Sequence, residues 1–387
     1  MNFDSCPDRA NTDAFKWKKY AGTDILPMWV ADMEFTCAPS ILSALRGEID
    51  HGVLGYTLPS QHTGANQAVK HWLKQQHQWD VETDWIVWMP GVVPAFNAAC
   101  KALCHAGDNV IVQTPNYPPL LAAPALHGLN RLTVDCVLED GRFTLDFDAL
   151  ERHAALPETK LFILCNPMNP VGSVLTQAEL DRVATICTAH DVVVCSDEIH
   201  CDLVLSENAK HLPAGNHSAL HEHSITLMAA SKTFNVAGLG AAFAIIPNRQ
   251  LRARFNRASQ GMIPWVNILG LVATEAAFTQ AEQWHHEVLQ YLRGNRDYLV
   301  KQINQIDGLS AVTPEATFLL WVEASGLGVN DTQAWCESRG VGPSPGADFG
   351  QASGFRINFG CPRAQLETAI RRLKNADEFA QAQQQSK

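Results

Sequence analysis

Two polar residues, each placed directly after an apolar run, are of types that can do chemistry together. Asp197 follows the apolar run 192–195, and Lys232 follows the run 225–230. In an α/β protein such runs are buried strands, and the residues just past their ends lie on the ligand-binding edge of the sheet. A lysine amine can form a Schiff base, and a carboxylate can pair with a basic ring nitrogen. The pair therefore predicts a site for pyridoxal 5'-phosphate (PLP).

Each of these residues also has a simpler interpretation. A lysine after a strand is commonly a surface residue, and Asp197 could begin a helix as its N-cap. However, the small residues 229–231 would let a bulky ring approach, and the uncharged segment 235–240 is a poor environment for a free ammonium. His200 can point the same way as Asp197 if the chain turns after the strand. It could then hydrogen-bond the phenolic oxygen of the cofactor.

Three loops after predicted strands add candidate contacts. In the loop 166–170, two X-Pro steps favour a rigid extended turn from which Asn169 could donate to the ring oxygen. In the turn 90–94, Gly91 permits close backbone approach, and the free N–H groups of the following helix start bind phosphate. Tyr117 could stack on the ring. Each has a simpler alternative. The loop 166–170 could be purely structural, the turn 90–94 could be a common glycine turn, and Tyr117 could serve only in packing.

One arginine is placed where a charge is unexpected. Arg356 lies within the short apolar strand predicted at 355–359. A buried guanidinium requires an anionic partner, and its fork of N–H donors suits a substrate carboxylate. An internal salt bridge is equally compatible with the sequence.

The elements that must position these residues alternate between strand and helix. Helices are predicted at 94–105 and 176–190. The second starts with a capping pattern of Thr176 and Glu179. The predicted strands cover 86–89, 109–112, 132–137, 161–165, 192–195, 225–230 and 242–246. This rhythm predicts an α/β fold with a mostly parallel sheet covered by helices on both faces.

The pattern changes towards both ends of the chain. A long helical region at 267–306 is followed by short strands and helices that predict a smaller α+β domain. We therefore expect an N-terminal arm and part of the small domain at 1–45, a large PLP-binding domain at 46–284, and a small C-terminal domain at 285–387.

Composition narrows the function classes. The 387 residues carry a net charge of −11, which argues against nucleic-acid binding. There is no run of 18 apolar residues and no signal-peptide pattern at the N-terminus, so we expect a cytoplasmic protein. The 11 cysteines are odd in number and lack a C-x-x-C motif, which favours reduced thiols. The histidines at 217, 221 and 223 favour a solvated loop, and no metal is expected.

Taken in order along the chain, the motifs resemble those of a known family. They are similar to the fold type I PLP-dependent enzymes of the class I/II aminotransferase superfamily, and most similar to the cystathionine β-lyase-like C–S lyase branch. The segments that carry the resemblance are 26–33 (LPMWVADM), 55–57 (GYT), 90–94 (PGVVP), 197–202 (DEIHCD), 231–235 (SKTFN), 314–318 (PEATF) and 360–363 (GCPR).

The resemblance implies a role for each matching residue around the cofactor ring. Lys232 would hold the cofactor and later act as the proton-transfer base. Asp197 would pair with the pyridine nitrogen, and Tyr117 would stack on the ring. Asn169 and His200 would contact the ring hydroxyl, and Asn169 would also line the substrate site.

It also implies how phosphate and substrate are held. The backbone at Val92 and Val93, with the Ser231 hydroxyl, would bind the phosphate. Tyr56 would reach the phosphate from the other subunit of a homodimer. Arg356 would bind the α-carboxylate of the substrate.

Three departures from the family pattern stand out. Ala229 replaces a serine that commonly helps to hold phosphate, and Gly240 replaces an arginine that binds phosphate in many aminotransferases. Glu34 replaces an aspartate that is usual in this branch, which is a mild change. The first two changes leave the details of the phosphate site open.

The implied activity is β-elimination of L-cystathionine or a related cysteine S-conjugate to pyruvate, ammonia and a thiol. An amino-acid aminotransferase is the alternative, because it needs the same base and the same electron sink. A regulatory protein built on the same scaffold is a third hypothesis, which the set of Lys232, Asp197 and Arg356 disfavours.

Overall fold

The computed structural model describes residues 1–375, so the last part of the predicted C-terminal domain, 376–387, lies outside the described residues. The strands are β1 (Leu26–Pro27), β2 (Ile86–Met89), β3 (Asn109–Thr114), β4 (Asn130–Glu139), β5 (Arg142–Leu145), β6 (Thr159–Cys165), β7 (Val193–Asp197), β8 (Ser224–Met228), β9 (Ala242–Ile245), β10 (Leu319–Glu323), β11 (Val341–Gly342), β12 (Ser344–Pro345) and β13 (Gly354–Asn358).

The helices are α1 (Phe15–Lys18), α2 (Pro39–His51), α3 (Thr63–His77), α4 (Val92–Leu103), α5 (Pro118–Leu126), α6 (Phe147–Ala154), α7 (Gln177–Ala189), α8 (Ala230–Thr233), α9 (Arg249–Ser259), α10 (Ile268–Gln280), α11 (Glu282–Ile303), α12 (Thr332–Glu337) and α13 (Arg363–Lys374).

Eight strands form one mixed sheet in the order β2-β9-β8-β7-β6-β3-β4-β5. The five central strands β8, β7, β6, β3 and β4 run parallel, whereas β2, β9 and β5 pair antiparallel at the two edges. The predicted α/β class with a mostly parallel sheet is confirmed. Because the central strands are parallel, their carboxyl ends meet at one edge, where Asp197 ends β7.

Alternate residues of β6 explain why helices cover both faces of the sheet. Leu161 and Ile163 pack in a cluster with residues of α4, α5 and α9, whereas Phe162 and Leu164 pack in a second cluster with residues of α6 and α7. All four side chains are fully buried. A strand buried on both faces reads as a continuous apolar run, which is how the sequence presents it.

Two helix predictions differ from the structure at their ends. The helix predicted at 94–105 begins earlier, at Val92, with Gly91 as its N-cap. The region 267–306 divides into α10 and α11 at Ala281, where the backbone leaves the helical conformation. The capping box of Thr176 and Glu179 is present at the start of α7, as predicted.

The C-terminal part of the chain takes part in two further, smaller sheets. Strands β10, β13 and β12 pair antiparallel, and β1 pairs in parallel with β11. The segment 26–27 near the N-terminus is therefore hydrogen-bonded to a strand more than 300 residues later. Among residues 1–375, no helix is both long enough and apolar enough to cross a membrane.

Candidate active site

A cavity of about 730 Å³ opens at the carboxyl ends of β6, β7 and β8. Its volume is within the range of small-molecule sites in proteins. Strand β7 brings Asp197 to the cavity wall, and α8, which starts two residues after β8, brings Lys232. The structure therefore brings together the lysine and the aspartate whose proximity the sequence predicted.

Lys232 has an amine that is poorly solvated. Its Nζ donates a hydrogen bond of 2.7 Å to the main-chain carbonyl of Ala31. Burial, aided by the positive charge of Arg356, lowers the pKa of Lys232 to about 8, although Asp32 and Asp197 oppose the shift. An amine with a pKa this low is partly neutral near physiological pH, and only a neutral amine is a nucleophile or a base.

Asp197 is 3% exposed and has little to stabilise its charge. Its Oδ1 accepts a hydrogen bond of 3.2 Å from the N–H of Ile199. Burial raises the pKa of Asp197 to about 7, against the opposing effects of that N–H group and of Lys232. A buried carboxylate in this state gains from a cationic partner, such as a protonated ring nitrogen.

His200 faces the same cavity with unused hydrogen-bonding capacity. It is 2% exposed, and its Nδ1 has no hydrogen-bond partner among residues 1–375. Burial, together with the charges of Lys232 and Arg356, lowers the pKa of His200 to about 3, so the imidazole is neutral. A buried, unsatisfied imidazole nitrogen at a cavity wall suits a polar ligand atom.

Arg356 is buried on β13 and is held by neutral groups. Its Nη1 donates to Asn169 Oδ1 at 2.9 Å, and its Nη2 donates to the carbonyl of Trp29 at 2.7 Å and to Ser344 Oγ at 3.2 Å. The ring of Phe349 lies 4.7 Å from its Cζ. Within the described part of the chain no carboxylate pairs with it, so the internal salt bridge that the sequence left open does not form.

The electrostatics of Arg356 match this geometry. Burial lowers the pKa of Arg356 to about 10, so the guanidinium stays charged at neutral pH without a counter-ion. A buried cation without an anionic partner is costly, and an anion bound in the cavity would remove that cost.

The residues predicted to bind the phosphate within one chain, and the residue predicted to stack on the ring, also line this cavity. The amides of Val92 and Val93 belong to the first turn of α4, whose N–H groups lack intrahelical acceptors, and both residues line the cavity with Ser231 and Tyr117. Burial raises the pKa of the Tyr117 phenol. A Cβ added at Gly91 would meet only Pro94 in an ordinary contact at 3.6 Å, so protein packing alone does not demand glycine there.

Tyr56 is the one candidate that lies outside this cavity. It is fully exposed and lines a separate groove with Trp265, on the loop that precedes α3. The two departures from the family pattern that affect the predicted phosphate site also have distinct surroundings. Ala229 is buried behind the cavity wall, and Gly240 has a left-handed backbone with φ of 59°.

The N-terminal arm forms a wall of the cavity that residue types alone did not reveal. Phe15, Lys19, Trp29 and Ala31 all line it. The arm acts through its main chain, since the carbonyls of Trp29 and Ala31 accept from Arg356 and Lys232. Asn358 adds two further bonds to the carbonyls of the same segment. The motif 26–33 was visible in the sequence, but main-chain acceptors have no signature in residue types.

A buried ionic cluster anchors this arm. Lys16 and Glu34 are both almost fully buried and lie 2.6 Å apart. Glu34 also pairs with Arg9 at 3.1 Å and accepts from the indole of Trp17. Glu34, at the position where the family usually has an aspartate, thus makes specific contacts on this side of the site.

A separate group of possible metal ligands lies away from the cavity. Among the described residues, His77, Cys201 and Asp202 bring one ligand atom each within 4.8 Å of one another. The Asp202 carboxylate already accepts from His77 at 2.8 Å and from Trp72 at 3.0 Å. Each of its two oxygens therefore already has a hydrogen-bond partner within the protein.

The cavity residues fit PLP in chemistry. They supply a partly neutral amine (Lys232), a buried carboxylate that lacks a strong cationic partner (Asp197), an unsatisfied imidazole nitrogen (His200) and the free amides of a helix start. These match the aldehyde, ring nitrogen, phenolic oxygen and phosphate of the cofactor.

Comparisons with known proteins give the same answer from independent data. The aminotransferase class I and II family model matches residues 24–373. Cystathionine beta-lyase PatB of Bacillus subtilis is 37% identical, over 97% of this chain and 100% of its own length. The solved structure of OvoB is 44% identical with a TM-score of 0.94, and covers 97% of this chain and 99% of that one. Cystalysin from Treponema denticola, whose crystal structure contains PLP, is 30% identical with a TM-score of 0.92, and covers 97% and 98%.

Proposed function

Because this chain belongs to the aminotransferase class I and II family, we propose that it is a PLP-dependent C–S β-lyase acting on L-cystathionine or a related cysteine S-conjugate. The observation that carries the proposal is one cavity that holds the low-pKa amine of Lys232 beside the unpaired guanidinium of Arg356. The similarity to cystathionine beta-lyase PatB over the whole chain favours elimination among the reactions of the family.

Lys232 is proposed as the residue that holds the cofactor and moves the proton. Bound PLP supplies an electron sink for the pair left at Cα when a substrate proton is removed. Once its amine is free, Lys232 takes that Cα proton, because its lowered pKa leaves part of the amine neutral near physiological pH. The C–S bond at Cβ then breaks and the thiolate leaves with the bonding electrons.

The overall reaction balances with one water. L-Cystathionine and water give L-homocysteine, pyruvate and ammonia. Arg356 binds the substrate α-carboxylate through its guanidinium, which Asn169 holds in place by accepting from Nη1. The substrate anion supplies the counter-charge that the buried guanidinium lacks.

Four residues are proposed to keep the cofactor ring in its reactive state. Asp197 pairs with the ring nitrogen and keeps it protonated, because an opposite charge favours the charged form. His200 and Asn169 contact the ring hydroxyl, and Tyr117 stacks on the ring. The raised pKa of Asp197 supports its role, since a cationic partner removes the cost of burying that charge.

We infer that the active enzyme is a homodimer in which Tyr56 completes the neighbouring site. Val92, Val93 and Ser231 hold the phosphate within one chain, and Tyr56 reaches it from the partner. Support comes from the complete exposure of Tyr56 together with other exposed apolar residues around the same groove, which are Val53, Leu54, Met262 and Trp265.

The domain division and the compartment are also proposals. In the arm at 1–45, β1 pairs with β11 of the C-terminal part, which supports its grouping with the small domain at 285–387, beside the large domain at 46–284. A cytoplasmic location is supported by the cysteines, all of which are free thiols.

One assay tests elimination against amino transfer. The purified protein, loaded with PLP, is incubated with L-cystathionine in the presence and absence of a keto acid. Pyruvate and free thiol formed without a keto acid support the lyase. A strict requirement for a keto acid would identify an aminotransferase instead.

A further inference from the structure

The outer end of the cavity carries two opposite charges that the proposed chemistry does not use. Lys19, from the arm, and Asp348, from the segment after β12, both line the same cavity as Lys232 and Arg356. Both are exposed at its mouth, whereas Arg356 is only 4% exposed. A substrate held by its α-carboxylate on Arg356 therefore has room to extend towards Lys19 and Asp348.

The ammonium of Lys19 is oriented but only weakly neutralised. It lies 4.8 Å from the ring centre of Tyr20 and 5.1 Å from that of Trp29. Its nearest carboxylate, on Glu337, is 3.7 Å away, which is longer than a good charge-assisted hydrogen bond. Cation–π contacts fix a lysine in place and leave its N–H donors free for an anion.

Asp348 is an anion without a partner. No side-chain hydrogen bond or ion pair involves its carboxylate within residues 1–375. It belongs to the short helical turn 346–349, next to Phe349, whose ring covers Arg356. The backbone at Asp348 is thus fixed to a wall of the site by a buried neighbour.

An apolar surface connects the inner and outer ends. The rings of Phe15 and Trp29 pack together with centroids 4.8 Å apart, and both line the cavity. Phe15 is 71% exposed, so its ring is available to a ligand at the mouth. These rings suit the methylene groups of a thioether chain.

We propose, on the basis of the proposed function, that Lys19 and Asp348 form the subsite for the distal end of the substrate, in which Lys19 holds a carboxylate and Asp348 holds an ammonium group. A distal zwitterion satisfies both charges of the mouth at once. A neutral alkyl thiol satisfies neither, and a thiol with a single charge leaves one of them without a partner. Lys19 and Asp348 therefore favour, among cysteine S-conjugates, those whose leaving thiol carries both a carboxylate and an ammonium group.

Four substrates separate the two contacts. L-Cystathionine carries both distal charges, S-(3-carboxypropyl)-L-cysteine only the carboxylate, S-(3-aminopropyl)-L-cysteine only the ammonium, and S-propyl-L-cysteine neither. We expect kcat/KM of the PLP-loaded enzyme, measured by pyruvate release, to be highest for L-cystathionine and lowest for S-propyl-L-cysteine. Each contact at this partly exposed site should contribute about fivefold.

Charge-neutralising variants assign each contact to its residue. Lys19→Gln should lower kcat/KM about fivefold for the two substrates with a distal carboxylate and leave the other two unchanged. Asp348→Asn should do the same for the two substrates with a distal ammonium. Lys18→Gln is the matched control, because Lys18 is the exposed neighbour that pairs with Asp13 outside the cavity.

A binding measurement provides a readout apart from turnover. In a Lys232→Ala background, calorimetric titration with L-cystathionine should show the same loss of affinity when Lys19→Gln or Asp348→Asn is added. Equal effects of these substitutions on all four substrates, or no effect on any, would overturn the proposal. Absence of pyruvate from all four substrates would instead reject the lyase function itself.

Discussion

The cavity has two walls that the chain builds in different ways. The inner wall consists of side chains at the ends of strands of the large sheet, with Asp197 on β7 and Lys232 just after β8. The outer wall consists of the N-terminal arm and the segment 333–349, which contribute main-chain carbonyls, aromatic rings and exposed charges. The inner wall can supply chemistry common to many PLP enzymes. The outer wall is where selection among thioethers can take place.

The walls also differ in how they are held. The inner residues are fixed at the ends of the buried strands β7 and β8. The arm is fixed by the pairing of β1 with β11, by one ionic cluster, by hydrogen bonds to side chains of distant segments, and by the buried side chains of Met28, Met33 and Phe35. We therefore expect substitutions in the inner wall to abolish turnover and substitutions in the arm to change stability or substrate preference.

The largest expected effect is on the inner wall. Lys232→Ala removes the proposed base, so pyruvate release from L-cystathionine should fall by about 10²–10⁴-fold from lost proton transfer alone. Thermal unfolding should show that the fold persists, because the change removes a partly buried amine whose pKa is lowered by desolvation. A variant with more than about a tenth of the original rate would be inconsistent with this role of Lys232.

The matching test of the outer wall concerns the buried ion pair of Lys16 and Glu34 that anchors the arm. Lys16→Met leaves Glu34 buried with one cation fewer, which should lower the free energy of unfolding by about 3 kcal/mol. Lys18→Met, at the exposed neighbouring position, should change it by less than about 0.5 kcal/mol. Urea unfolding of both variants gives the comparison. Equal midpoints would show that the buried pair does not anchor the arm.

Arg356 touches both walls, so its loss should affect substrate binding most. Arg356→Gln should lower kcat/KM about 100-fold, mainly through KM, because a buried charge contact with the substrate carboxylate is worth about 2–5 kcal/mol. Arg356→Lys keeps the charge but loses the fork that donates to Asn169, Trp29 and Ser344, so it should restore little. A fall in kcat at constant KM would argue against carboxylate binding.

The smallest expected effect is a pH dependence of the free energy of unfolding of the cofactor-free protein. The folded-state pKa of Asp197 is about 7 and its ordinary value is 3.8, so the folded protein holds this proton more tightly than the unfolded chain does. This stabilising contribution is complete below the ordinary value and is lost as the pH rises to about 7. Asp197→Asn, which cannot ionise, should therefore become more stable than the original protein by about 2 kcal/mol near pH 8.

The difference between variant and original measured near pH 3 is the control, since Asp197 is then protonated in the folded state and largely so in the unfolded chain. At this pH the free energies of unfolding of the two proteins, measured in urea, should be nearly equal. A difference that does not change with pH would contradict the desolvated state of this carboxylate.

Sequence reasoning reached the inner wall because that wall depends on local patterns. Continuous apolar runs predict strands buried on both faces, and the polar residue that follows each run lies at the sheet edge by geometry alone. Lys232 and Asp197 could be found in this way. The break between α10 and α11 could not, because Ala281 is not a residue type that ends helices.

The contacts made by the outer wall escaped prediction for a physical reason. Its acceptors are carbonyl groups, which every residue has, and the partners Trp29 and Arg356 are 327 residues apart. The sequence left two partners open for Arg356, a substrate and an internal carboxylate. Only the fold shows that amide, carbonyl and hydroxyl oxygens surround it.

The pairing of β1 with β11 has a consequence for biosynthesis. The ribosome completes the arm first, yet the strand that it pairs with is among the last to emerge. At about 5–20 residues per second, the 327 residues between Trp29 and Arg356 take roughly 15–65 s to translate. During that interval the nascent arm has aromatic side chains without their native cover. A tag or fusion that delays release of the C-terminus should therefore lengthen the exposure of this segment to chaperones.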